Sequence, residues 1–226
     1  MDEKLWEQIK KASEDSLKNP GENKKPLPKD KIGTNDNFII VFRHGETEDN
    51  ANRIFSGWRD AKLTPKGIEG AKKLSSKMNK LKIDLIVTSD QIRSKHTARL
   101  AFETHPNLEN IKWEIDARIK ERNYGDLNGE SKEEAMRINP EQAIKWRRGY
   151  DFPPPNGESI KMVEERVWPF LDELIARIKK EKINVVLSAH SNSMRAIRRY
   201  FENLTIIEEL TQENPLGEDF ALYKIG

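Results

Sequence analysis

The chain has 226 residues, 35% of them charged and 35% hydrophobic, with a formal net charge of +2. That length fits one medium domain, or a domain with an appendage, and so small a net charge gives no bulk attraction to nucleic acid or to a membrane surface. Cysteine is absent, which excludes a disulfide framework and a thiolate metal site and fits a reducing, cytoplasmic setting.

No apolar run approaches the ~18–20 residues of a membrane-spanning helix. The opening MDEKLWEQIK lacks the apolar core of a signal peptide. Residues 1–36 read as an extension. Leu5, Ile9, Ala12 and Leu17 recur near helical spacing, with Asp2 placed to cap the start. Asn19-Pro20-Gly21 and the Lys/Pro stretch to Asp36 read as a linker. The eight basic and eight acidic residues of this segment cancel. Its plain reading is a short helix docked on the domain surface, or a disordered tail; the alternative is a partner-binding arm.

Residues 37–226 alternate strands with helices. Phe38–Phe42 is the first strand. Thr64-Pro65 opens a helix, with an N-cap and a proline at the first helical position, that continues to about Lys80. Leu85–Thr88 is a second, buried strand, Gln91–Glu103 a helix, and Lys112–Ile115 a third strand. Ser131–Ile138 and Glu141–Arg148 are two short helices separated by Pro140. Ser159 caps a long helix to about Lys180, in which Pro169 should introduce a kink. Ile183–Ser188, Ser193–Asn203 and Asp219–Ile225 then read as strand, helix and strand. The alternation predicts an α/β fold with a largely parallel sheet.

Three of these strands end in polar residues. The first ends in Arg43-His44, the second in Thr88-Ser89 with Arg93 one turn into the next helix, and the fourth in His190. Parallel strands bring such ends to one sheet edge, where ligands bind. Two histidines and two arginines would then converge, as phosphoryl transfer requires: a nucleophile, and fixed positive charge around the equatorial oxygens. His44 reads as the nucleophile and Arg43 as its partner. Arginine binds phosphate through two parallel hydrogen bonds and stays charged. Glu121, in the irregular stretch Glu121–Gly125, is the candidate proton carrier. Its carboxyl should be harder to ionise near a phosphate dianion. Arg147, Arg148 and Lys132 add cations suited to a substrate carrying both phosphate and carboxylate. His96 and His105 read as structural. No nucleotide-binding glycine loop is present, and no three-ligand metal spacing is apparent.

The segments RHGET, GWRDAKLTPKG, TSDQIRSKHTA, ERNYGDLNG, WRRGYDFPPP, GES and AHSNSMRA follow one another in this chain. In that order the sequence resembles the histidine phosphatase superfamily, and within it most closely the cofactor-dependent phosphoglycerate mutases, from about Phe38 to the C-terminus. The resemblance implies a three-layer α/β/α sandwich. It implies a phosphohistidine at His44, with Arg43, Arg93 and His190 around the transferred group and Glu121 as general acid and base. Asn50, Ser56, Gly57, Arg122, Tyr124, Lys132, Arg147, Arg148 and Asn192 match substrate-pocket positions. The implied reaction interconverts 3-phosphoglycerate and 2-phosphoglycerate in glycolysis and gluconeogenesis, primed by 2,3-bisphosphoglycerate and needing no metal. The partner expected is a small phosphorylated carboxylic acid, with neither nucleic acid nor membrane. Oligomeric state is left open. Two departures keep a phosphatase acting on small phosphorylated metabolites as the alternative. Ser191 stands where the mutases usually have glycine. The loop after Pro155 also lacks an insertion of roughly twenty residues that many of them carry, a length typical of functional loops.

Overall fold

The computed structural model describes residues 3–18 and 26–226. Asp2 and Asn19-Pro20-Gly21, read above as a cap and a linker, lie outside them, and the side chain of Leu5 is not described. In chain order the elements are α1 (Glu3–Lys18), β1 (Asn37–Arg43), α2 (Glu48–Ala51), α3 (Pro65–Met78), β2 (Leu85–Thr88), α4 (Ile92–Phe102), β3 (Lys112–Ile115), α5 (Lys132–Ile138), α6 (Pro140–Arg148), α7 (Ile160–Glu181), β4 (Val185–Ala189), α8 (Ser191–Glu202), α9 (Ile206–Thr211) and β5 (Ala221–Ile225).

The five strands form one sheet in the order β3-β2-β4-β1-β5. All neighbours are parallel except β5, which runs antiparallel to β1. Along β1 the side chains alternate between the two faces, as strand geometry demands. Ile39 and Val41 join a cluster with Val163, Val167 and Leu171 of α7 and Met194 and Ile197 of α8. Phe38, Ile40 and Phe42 join a second cluster with Leu74 and Met78 of α3 and Ala98 and Phe102 of α4. A strand covered on both faces reads as a continuous apolar run, which is why FIIVF has no polar alternation. The result is the expected three-layer α/β/α sandwich.

Helix starts follow the sequence signals. The side-chain oxygens of Thr64, Ser131, Asn139 and Ser159 each accept a backbone N–H at the start of α3, α5, α6 and α7. Pro140 therefore opens α6 rather than separating it from α5, because a proline at the first helical position loses no needed donor. The long helix α7 runs unbroken past Pro169. The sequence reading passed over α9, a short helix that begins with a capping box between Thr205 and Glu208.

The N-terminal segment engages the domain on both sides of residues 19–25. Leu27 is buried in the core cluster of α7 and α8, and Leu222 exchanges backbone hydrogen bonds with Pro28 (2.9 Å) and Asp30 (3.0 Å). Part of the stretch read as linker therefore lies along β5 as a further edge. Meanwhile α1 packs Ile9 against Ile144 of α6, Ile160 of α7 and Leu210 of α9. Burying one such isoleucine stabilises the docking by about 1.5–3 kcal/mol.

Candidate active site

The register of β1, β2 and β4 fixes where the chemistry sits. Arg43 pairs with Ala189 and Thr88 with Ser188. The next residues, His44, Ser89 and His190, therefore leave the sheet together at its carboxyl edge. The two imidazoles lie 5.1 Å apart, centre to centre. Both are buried: His44 is 2% exposed and His190 is fully enclosed.

Hydrogen bonds set the tautomers. His44 Nδ1 lies 2.7 Å from the carbonyl oxygen of Gly45. A carbonyl only accepts, so Nδ1 carries the proton. Burial, reinforced by Arg93, His190 and Arg43, holds the His44 pKa well below the ordinary histidine value. The ring is thus neutral, with its lone pair on Nε2, as a nucleophile needs to be. Ser89 Oγ accepts from the Gln91 backbone N–H (3.2 Å) and lies 2.8 Å from His190 Nε2. The hydroxyl can accept a second time, from Nε2–H, or donate to Nε2; in the second arrangement the His190 proton is left on Nδ1. That atom is buried and has no partner among the described residues.

The flanking arginines are anchored by carbonyl groups. Arg43 Nη1 donates to Asn214 O at 3.0 Å. Arg93 donates to Arg59 O at 2.7 Å and to Gly57 O at 2.8 Å. Each guanidinium keeps a buried Nε with no partner among the described residues, and so do Arg122 Nε and Nη1 and Ser56 Oγ. Unmade hydrogen bonds at buried donors cost about 1–3 kcal/mol each. A group of unmatched donors in one place is the signature of an anion site.

Glu121 faces this charge from the other side. Its Oε1 accepts from the backbone N–H of Arg122 (2.8 Å) and Asn192 (3.0 Å) and from Asn192 Nδ2 (3.0 Å); its Oε2 accepts from Ser191 N (2.9 Å). The Ser191 and Asn192 amides are the first turn of α8, where the helix presents unpaired N–H groups. Burial raises the carboxyl, but Arg93, the Arg122 and Asn192 amides and Arg43 outweigh it and pull it down to about 2. Within the chain alone the carboxyl is therefore ionised; the expectation above concerns the carboxyl beside a phosphate dianion. The carboxylate can donate a proton only after taking one.

Arg43, His44, Asn50, Ser56, Gly57, Arg93, Glu121, Tyr124, Lys132, Arg147, Arg148 and Asn192 line one cavity of about 90 Å³. That is small beside the ~300–1,000 Å³ of drug-sized ligand pockets. Arg122 and His190 stand behind the lining. Arg122 is fully buried, and its guanidinium lies 4.4 Å from the Tyr124 ring centre. Lys132, the first residue of α5, is pushed down to about 8, by burial first. Burial and the neighbouring Arg148 push Arg147 down to about 9. Arg148 is different, because Glu213 neutralises it in a buried ion pair.

The sequence reading left out Arg195, Glu213, Arg53, Ser16 and Leu17, all of which line the same cavity. Arg195 pairs with Glu213 at 3.0 Å and donates to Asn192 Oδ1 at 3.1 Å. It stands in the helix that follows His190, as Arg93 stands in the helix that follows Ser89, and an arginine soon after a polar strand end is the available signal. His105 is structural, as expected, with Nε2 3.1 Å from Leu81 O.

Ligand atoms of His44, Glu121 and His190 lie within 4.8 Å of one another. Folding thus assembles a three-ligand cluster that no sequence spacing displayed. Arg43 and Arg93, buried beside it, oppose a cation and favour an anion there.

A family model described as Histidine phosphatase superfamily (branch 1) matches residues 39–214. The 2,3-bisphosphoglycerate-dependent phosphoglycerate mutase of Parvibaculum lavamentivorans is 37% identical over 191 residues, 82% of this chain and 86% of that protein. The phosphoglycerate mutase of Schizosaccharomyces pombe is 40% identical over 176 residues, 75% of this chain and 81% of that protein. Among solved structures, a mycobacterial glucosyl-3-phosphoglycerate phosphatase superposes with a TM-score of 0.71 at 23% identity, covering 83% of this chain and 97% of that one. That last likeness concerns the fold.

Proposed function

Because the chain belongs to the histidine phosphatase superfamily, branch 1, we propose that it is a phosphoglycerate mutase primed by 2,3-bisphosphoglycerate, working in cytoplasmic glycolysis and gluconeogenesis. One observation carries the reading. Beside the Arg43–Arg93 pair, the same small cavity holds Lys132 and Arg147, cations with no carboxylate partner among the described residues. Plain hydrolysis of a phosphomonoester needs one anion-binding centre. This cavity offers two, which suits a phosphoglycerate, or a bisphosphate, with charge at both ends.

The residues divide the work as follows. His44 Nε2 attacks phosphorus in line, forming a P–N bond as the P–O bond to the leaving oxygen breaks. Arg43, Arg93 and the His190 Nδ1–H hold the equatorial oxygens. In the reverse direction the substrate's free hydroxyl attacks the phosphohistidine, and Glu121 takes its proton. When the second phosphate moves to His44, Glu121 returns that proton to the departing oxygen. The low carboxyl pKa means that Glu121 starts ionised, so the base step comes first. The bisphosphate supplies the phosphoryl group that first loads His44; Lys132 and Arg147 would hold its other end. Asn50, Ser56, Gly57, Arg122, Tyr124, Arg148 and Asn192 shape and orient that pocket.

One feature favours a second reading, phosphatase activity on small phosphorylated metabolites. Ser191 lines the cavity, and its backbone N–H donates to Glu121 Oε2 at 2.9 Å. Water held there and deprotonated by Glu121 would hydrolyse the phosphohistidine.

The deciding experiment supplies the purified protein with 3-phosphoglycerate, with and without trace 2,3-bisphosphoglycerate, and follows 2-phosphoglycerate and free phosphate together. Fast isomerisation stimulated by the bisphosphate, with little phosphate released, is the expected result. Phosphate release without isomerisation would overturn the mutase reading in favour of the phosphatase.

A further inference from the structure

The N-terminal helix does more than rest on the surface. Ile9, Ser13 and Ser16-Leu17 form one stripe along α1, at the spacing that places side chains on one helix face. Ile9 anchors the stripe in the cluster of Ile144, Ile160 and Leu210. Ser13 is fully buried, and its Oγ and carbonyl oxygen accept from Arg147 Nη1 at 2.7 and 2.9 Å. Ser16 Oγ accepts from Arg147 Nη2 at 2.8 Å. Ser16 and Leu17 line the same cavity as His44.

We propose that α1 is the outer wall of the substrate pocket, and that Ser13 and Ser16 are positioning residues which hold Arg147 against the substrate's carboxylate while the helix keeps water from the phosphohistidine. The proposal deepens the mutase reading and rests on it. Its logic lies in the chemistry of the acceptors. Three neutral oxygens fix the guanidinium in place and leave its charge free, so a substrate carboxylate can still claim it. Aspartate or glutamate at either position would fix the arginine equally well but cancel that charge, as Glu213 does for Arg148.

Exclusion of water matters for a balanced reason. When water attacks the phosphohistidine, a P–O bond forms, the P–N bond breaks and a water proton passes to Glu121. The phosphoryl group leaves as inorganic phosphate and the isomerisation cycle loses its priming group. On this side α1 contributes Ser16 and Leu17 to the cavity lining.

The test uses two full-length variants. Ser13→Ala/Ser16→Ala removes the two hydroxyl acceptors. Ile9→Asp undocks the helix, with circular dichroism to confirm that the sheet domain still folds. KM and kcat are measured with 3-phosphoglycerate and with glycerol 3-phosphate, which lacks the carboxylate. For the double variant the expected result is KM for 3-phosphoglycerate raised about tenfold, kcat within about twofold, and glycerol 3-phosphate kinetics unchanged. Ser16→Thr, which keeps an acceptor, should retain most of the discrimination. For Ile9→Asp, phosphate released per isomerisation should rise about tenfold. Unchanged discrimination in the double variant would overturn the positioning role, and unchanged phosphate release in Ile9→Asp would overturn the wall. A wild-type protein that never isomerises would sink the mutase reading instead. Discrimination by the carboxylate still reports on Ser13 and Ser16 in that case.

Discussion

In the proposed reaction Glu121 sets the order of proton transfers. Its carboxylate is held by three backbone N–H groups and one side-chain amide, so it begins as a base. Glu121→Gln keeps the shape and loses the proton carrier. We expect kcat for isomerisation to fall by about 10²–10⁴-fold. Labelling of His44 by a phosphate ester with a good leaving group should survive, since that step needs no proton; rapid-quench labelling would detect its loss. Under the proposed function Lys132 should govern the alkaline limb. Its pKa of about 8 lies below the ordinary 10.5, so its charge, and its hold on a substrate anion, fades as pH rises through 8. KM for 3-phosphoglycerate should therefore climb between about pH 7 and 9, and Lys132→Met should flatten that rise, as a pH series of initial rates will show. The sign for stability is opposite. Between about 8 and 10.5 the unfolded chain binds more protons at this site than the native one does, so Lys132 destabilises the fold most at low pH and less as pH rises through that window.

At the scale of elements, the site depends on turns as much as on strands. Gly57 follows Ser56 with φ of +47°, in the left-handed region, and a Cβ there would meet Asn128 Oδ1 at 1.9 Å. Its carbonyl oxygen accepts from Arg93 Nη2 and Gln91 Nε2. One peptide thereby ties the turn to the arginine that is proposed to face the phosphoryl group. Gly57→Ala should cost about 1–3 kcal/mol of stability by chemical denaturation and lower kcat as well, because Arg93 shifts with the carbonyl that anchors it. Loss of stability with full activity would show that Arg93 is held well enough by Arg59 alone. The first turn of α8 carries a comparable load, since the amides that open this helix are those that bind Glu121. In the proposed mechanism a helix start is thus part of the acid–base apparatus.

At the scale of the whole molecule, the fold concentrates positive charge that it does not neutralise. Net charge is +2, yet Arg43, Arg93, Lys132 and Arg147 share one small cavity. Burial pushes the pKa of each downward, which is the mark of charge held at a cost. An anion that binds the native state alone should recover part of that cost. Inorganic phosphate at a hundredfold over its Kd should add about 2.7 kcal/mol. For a chain of this size that is a rise in Tm of roughly 5–11 °C. The effect should be larger at pH 7 than at pH 9, where Lys132 is neutral. Scanning calorimetry in phosphate against chloride at matched ionic strength checks this, and equal Tm values would argue against an anion site.

Much of this was legible in the chain. FIIVFRHG announces an apolar strand that ends in a basic pair, and Thr64-Pro65 and Ser159 mark helix starts through their own capping chemistry. These are local effects, decided within a few residues, and the strand-end pattern alone placed His44, Arg93 and His190 on one edge. What the sequence could not display was proximity between distant segments. The pKa of Glu121 is set by burial, by Arg93 and Arg43, and by amides that include that of Asn192, 71 positions away; Arg195 matters because Glu213 folds against it. Ser13 and Ser16 look like ordinary helix serines until Arg147 is brought to them across more than 130 positions. Local backbone preference and hydrophobic patterning act over neighbours and so can be read in order. Electrostatics, burial and hydrogen bonding act through space, and only the tertiary structure decides which groups they join.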